Sequence, residues 1–71
     1  MNQVAPRKLL HSKWTHTQPV KKEKHFAVIN VEFDDDGKVT LCEIQAVMTN
    51  NIRAINWRDL KDAAKWRQGW Q

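Results

Sequence analysis

Oxygen-bearing side chains are densest between Glu32 and Glu43, in the run Glu32-Phe33-Asp34-Asp35-Asp36-Gly37-Lys38-Val39-Thr40-Leu41-Cys42-Glu43. Oxygens fall at the first, third, fifth and twelfth places, glycine at the sixth and an apolar residue at the eighth. That is the spacing with which a helix–loop–helix unit wraps a calcium ion. The flanks argue against such a unit, because Ala27 to Phe33 and Cys42 to Met48 alternate with period two. On strands, Glu32 and Glu43 would lie across a hairpin instead of around one ion, so the run reads as an acidic turn. His11, His16, His25 and Cys42 are the remaining ligand types, and their spacings match no metal site. Gly37 and Gly69 are the only glycines, which leaves no phosphate-cradling loop. Cys42 falls on the apolar side of its strand, where a thiol is inert packing. No catalytic residue, metal or cofactor is assigned, and no enzyme is expected.

The elements that position these groups follow from hydrophobic period and turn chemistry. Ala27, Ile29, Val31 and Phe33 form one face of a first long strand from His25. Asp34 to Gly37 turns the chain, with Gly37 free to take positive φ. Cys42, Ile44, Ala46 and Met48 form the same face of a second strand, with Ile29 opposite Cys42, Ala27 opposite Ile44 and Phe33 opposite Lys38. Phe26, Val28, Leu41 and Val47 then fall on the opposite face and hint at a second covered surface. Asn50-Asn51 suits a two-residue hairpin turn, placing Ile55 opposite Ala46 and Trp57 opposite Ile44. Asn56 caps a helix in which Trp57, Leu60 and Ala64 share one side, ending near Gly69. The expected fold is α+β: a three- or four-stranded antiparallel meander with a short C-terminal helix packed on one face. Residues 25–71 form this body. Residues 1–24 read as a basic, poorly ordered segment with a short edge strand near Trp14, broken at Pro19.

Seventy-one residues allow one small domain of marginal stability. A lone cysteine permits no internal disulfide, no apolar run approaches a membrane span, and Leu9-Leu10 is no signal-peptide core. A cytoplasmic protein is expected. The net charge of +4 is split along the chain. Arg7, Lys8, Lys13, Lys21, Lys22 and Lys24 face the single acid Glu23 in the first third. Glu32, Asp34, Asp35, Asp36 and Glu43 reverse the sign in the middle, and Arg53, Arg58, Lys61, Lys65 and Arg67 restore it. Basic ends favour an anionic partner, or the acidic middle of a neighbouring copy.

Four tryptophans are a heavy load for this length: Trp14, Trp57, Trp66 and Trp70. Three of them adjoin a base, as in Lys13-Trp14, Trp57-Arg58 and Lys65-Trp66-Arg67. Such pairs could stack on unpaired bases while the cations hold phosphates, or cage a cationic ligand. Each ring also offers ~150–250 Å² to a core, and so small a chain needs that area. Trp57 and Trp66 are therefore expected inside, with Trp14 and Trp70 left for a partner. No RNP or zinc-finger pattern accompanies them.

Lys13-Trp14-Thr15, Pro19, Glu23-Lys24-His25-Phe26, Cys42, Trp57-Arg58-Asp59-Leu60-Lys61-Asp62, Trp66 and Gly69-Trp70 span nearly the whole chain. In these residues it resembles a family of small tryptophan-rich bacterial proteins of unassigned function. Members often carry a proline just before the final glycine, where this chain has Gln68. The resemblance implies a free-standing cytosolic protein or module, and brings no activity or ligand.

Two functions remain open from sequence. One is a module for single-stranded nucleic acid, RNA above all, contacted by Lys13, Trp14, Lys21, Lys22, Lys24, Arg67 and Trp70. The other is a protein-interaction or homodimerising structural module, acting through a sheet edge at Ile52–Asn56 or the Trp14 segment, or through the second apolar face. No membrane partner is expected.

Overall fold

Phe26 and Val28, flanked by the less apolar His25 and Ala27, are the residues that the second strand buries. A computed structural model describes residues 2–71, and of Val20 the backbone alone. Its strands are β1 (Lys13–Val20), β2 (Glu23–Phe33), β3 (Val39–Ala46), β4 (Ile52–Ala54) and β5 (Trp66–Gln68). They form one antiparallel sheet in the order β4-β3-β2-β1-β5.

β2, β3 and β4 were legible as strands and β5 was not; nor was the face of β2. Phe26 pairs with Ala46, Val28 with Ile44, then Asn30 with Glu43 and Val31 with Cys42. Ile29 is left over, a β-bulge that reverses the inside–outside sense and carries Val31 to the side of Phe26 and Val28. The expected set of Ala27, Ile29, Val31 and Phe33 is therefore split, and Ile29 does not oppose Cys42. Phe26 and Val28 lie in the core and not on a second apolar face. Both alternate sets in this strand are apolar, so period two alone could not choose between them. The larger Phe26 goes inside, edge-to-face with Trp66 at 5.3 Å.

Both turns are longer than the sequence suggested. Phe33 pairs with Val39, not Lys38. The Asp34 carboxylate accepts from the backbone N–H of Asp36 at 3.0 Å and of Lys38 at 2.8 Å, while Gly37 takes φ 81°. That carboxylate is thus spent on its own turn. At the second turn Ala46 N–H bonds to Asn51 C=O at 2.9 Å, enclosing four residues, with Asn50 at φ 62°. Ile44 then faces Arg53 and Gln45 faces Ile52, so neither Ile55 nor Trp57 takes the place expected for it.

The C-terminal helix is replaced, and with it the α+β class: the protein is nearly all antiparallel β-sheet. Asn56 does cap, its Oδ1 accepting from Arg58 N–H at 3.1 Å, but it starts only a 3₁₀ turn, Trp57–Lys61. Asp62 stops it by accepting from Ala64 N–H through its carboxylate and from Lys65 and Trp66 N–H through its carbonyl. The chain then enters β5, where Trp66 pairs with His16 and Gln68 with Trp14. Continuing the helix would turn Trp66 roughly 120° away from Leu60, since each residue advances about 100°. Leu60 is fully buried and Trp66 is 4 % exposed, a pair that one helix face cannot bury together.

Residues 2–12 are bonded into this assembly. Leu9 is fully buried, Asn2 donates through Nδ2 to the carbonyls of Leu60 and Trp66, and His11 N–H reaches Val28 C=O. β1 is longer than the short strand expected near Trp14, and β2 and β5 flank it on both sides. Trp14 itself is 2 % exposed, its Nε1–H held by Ser12 Oγ at 2.8 Å, and belongs to the core with Ile44, Cys42, Phe26 and Val28.

Cys42 sits in that core, and burial pushes its thiol pKa up. Both effects suppress the thiolate, so a disulfide reagent at pH 8 is expected to label it only as fast as the fold opens. Labelling at the rate of a free thiol in native buffer would place Cys42 outside the core.

Candidate binding face

Paired residues of a sheet share a face and neighbours along a strand alternate, so β1 divides the site residues between two sides. Trp14 and His16 point inward with Gln68 and Trp66. Lys13 and Thr15 point to the other side with Arg67, His25 and Ala27. Across this outer face lies Trp70. Gly69, at φ 79°, donates to Lys13 C=O at 2.8 Å and turns the chain back over the sheet. The Trp70 Nε1–H then reaches Phe26 C=O at 3.0 Å. Thr15 Oγ1 secures the return by donating to Gly69 C=O at 2.7 Å and accepting from Gln71 N–H at 2.9 Å.

Trp70 remains 45 % exposed, with Lys13 Nζ 4.7 Å from its ring centre and the His25 ring at 6.1 Å. Beside it Thr15, His16, Lys24, Arg67 and Gln71 line a shallow hollow of about 190 Å³. Lys21 and Lys22 stand in the exposed β1–β2 turn, both at positive φ. Of the seven residues that sequence proposed, Lys13, Lys24, Arg67 and Trp70 thus gather on or beside one surface. Lys21 and Lys22 extend it at the strand end, and Trp14 backs it from inside. His25, Thr15 and Gln71 were not among the seven, because their proximity depends on the Gly69 turn.

The same strands sort the charge. β2 runs from the Lys21-Lys22 turn to the Asp34-Asp35-Asp36 turn, along a molecule 37 Å in its longest dimension. Lys65 and Arg67 join the basic end through β5, since Lys65 C=O accepts from Thr17 N–H. Glu23, an acid at that end, is engaged by Thr49 and Asn51; their hydrogen bonds, helped by the Arg53 charge, hold its carboxyl below the usual range.

A second concavity, about 490 Å³, lies between the Gly37 turn and Trp57, with Val39, Leu41 and Ile55 on its walls. Trp57 is half-buried and carries its own cations, Lys61 Nζ at 4.9 Å and the Arg58 guanidinium at 5.8 Å. Among the described residues, no three His, Cys, Asp or Glu side chains converge as a metal site. Among the same residues, no helix is long and apolar enough to cross a membrane.

A family model described as "Tryptophan-rich protein (DUF2389)" matches residues 12–71. No curated protein and no solved structure matches the chain.

Proposed function

The chain belongs to this tryptophan-rich family of unknown function, and from that premise we propose a small, non-enzymatic, cytoplasmic module that holds single-stranded RNA on the outer sheet face. One observation carries the reading: Trp70 is a half-exposed indole pinned to the sheet by its own N–H, with Lys13 beside it and Arg67 and Lys24 nearby. A ring fixed in this way stacks on a base without losing further freedom, and any base offers a π-face. The neighbouring cations hold phosphates, and Lys21 and Lys22 continue the track. The acidic turn at the far end of β2 orients the molecule toward a polyanion with its basic end leading.

A fluorescently labelled, uridine-rich single-stranded RNA of about ten nucleotides tests this. Binding is expected at low salt, weakening with a log–log slope of about −0.7 per phosphate contacted. Trp70→Ala is expected to cost ~1–3 kcal/mol, roughly fivefold to a hundredfold in affinity. Replacing Lys21 and Lys22 together by alanine lowers the slope by about 1.4 while sparing the stacking contribution. No binding at low salt would end the proposal.

A further inference from the structure

We infer that β4 is the docking edge for a second copy of this chain, the two β4 strands pairing antiparallel to merge both sheets into one. The inference does not depend on the RNA reading and concerns the opposite side of the sheet order.

A sheet of order β4-β3-β2-β1-β5 has two edges, and the chain treats them differently. On β5 most of the edge is engaged. Trp66 N–H bonds to Asp62 C=O at 2.9 Å, Trp66 C=O accepts from Asn2 Nδ2, and Gln68 C=O accepts from Gln71 Nε2 at 3.2 Å. On β4 it is open. The bonds from Ala46 N–H to Asn51 C=O and from Ile55 N–H to Cys42 C=O set which residues bond inward. By alternation Ile52 and Ala54 direct their N–H and C=O groups outward. Among the described residues no hydrogen bond engages those groups. An open row of this kind is a template for another strand.

Three exposed apolar residues gather around the open edge. Ile52 is 52 % exposed, Val47 43 % and Met48 71 %, all in β4 or the turn that leads into it.

Charge selects a second copy as the occupant. β4 runs in the same direction as β2, from the basic end of the molecule to the acidic one. Antiparallel pairing about a two-fold axis therefore sets the Lys21-Lys22 end of each copy toward the Asp34-Asp36 end of the other. A parallel arrangement would align like charges. Arg53 rules out a register centred on itself, and centring the pair on Ala54 brings each Arg53 opposite an Ile55. The axis stands perpendicular to the sheet, so both Trp70 rings lie on one side. They are separated by about seven strand spacings, roughly 34 Å.

Sedimentation equilibrium of the full chain without nucleic acid is expected to give twice the monomer mass at ~100 μM, with weaker association at high salt. Ala54→Pro removes only an outward N–H, so it should keep the native circular dichroism spectrum and thermal midpoint while raising the dimer Kd at least ~tenfold. Ile52→Lys should do the same by adding a charge to the edge. Should either variant fold poorly, Ala54→Cys gives an independent reading. Facing Cα atoms about 5.5 Å apart in a hydrogen-bonded pair are within disulfide reach, so mild oxidation should yield a covalent dimer. A monomeric wild-type chain at that concentration, a dimer indifferent to both edge variants, or an Ala54→Cys chain that stays uncrosslinked would each overturn the inference.

Discussion

Replacing Trp66 by alanine is expected to cost ~3–5 kcal/mol and bring the chain close to its unfolding midpoint at room temperature. The ring is 4 % exposed and meets Phe26 at 5.3 Å and His16 at 4.7 Å, both edge-on. Its backbone ties Asn2 and Asp62 to the sheet, so the cavity would open where the N-terminal segment, the 3₁₀ turn and β5 converge. Small domains hold only ~5 kcal/mol or slightly more in reserve, and one aromatic truncation consumes most of it. Trp70→Ala is the control. That ring is half exposed and makes one hydrogen bond to the backbone, worth about 0.5–1.5 kcal/mol. Urea unfolding followed by far-ultraviolet circular dichroism separates the two variants. A Trp66→Ala midpoint close to that of Trp70→Ala would mean that the core is not centred on Trp66.

Two single-residue deletions in β2 should have opposite outcomes. Removing Ile29 takes out the residue that the ladder with β3 leaves unpaired, so Val28 and Asn30 keep their partners Ile44 and Glu43. The regular strand that results still buries Phe26, Val28 and Val31. The deletion is expected to fold, with a thermal midpoint within several degrees of the wild type, because only a half-buried side chain is lost. Removing Ala27 shifts Phe26 by one place against Val28. A one-residue shift sends a side chain to the opposite face, which would expose Phe26 and break its contact with Trp66. No cooperative transition is expected for that variant. Calorimetry on both is the measurement; an Ala27 deletion as stable as the Ile29 deletion would show that the bulge does not set the register.

These two strands also show where the reading of the sequence reached and where it stopped. Cys42, Ile44 and Ala46 are buried as their alternation with Glu43 and Gln45 indicated, because only one of the two sets in that strand is apolar. In β2 both sets are apolar, and the choice between them depends on Trp66 arriving from a distant segment to meet Phe26. The turns were placed correctly, at Asp34–Gly37 and around Asn50, since glycine and asparagine mark positive φ locally. Their lengths were not, because a hairpin's register is settled by which side chains pack across it.

The same division holds for the candidate site. Lys13, Lys24, Arg67 and Trp70 could be named from residue type and adjacency, whereas the burial of Trp14 could not. Its ring sits on the side of β1 where Leu9, Leu60 and Trp66 join the core, and none of these partners is visible in the local pattern. Asn56 capping was equally legible, and what followed the cap was not. A cap specifies only a helical start; continuation had to compete with placing Leu60 and Trp66 in one core.

By itself, then, the amino-acid sequence determined strands β2, β3 and β4, the sites of chain reversal, the charge split and the membership of a tryptophan-rich family. Those are properties of residues and near neighbours. Tertiary structure alone decided which face of β2 is dry, that the last segment is a strand, and that Trp70 of the four tryptophans is the one held open on the outer face. Each of these depends on contacts between residues far apart in the chain, where burying the most aromatic area outweighs local preference.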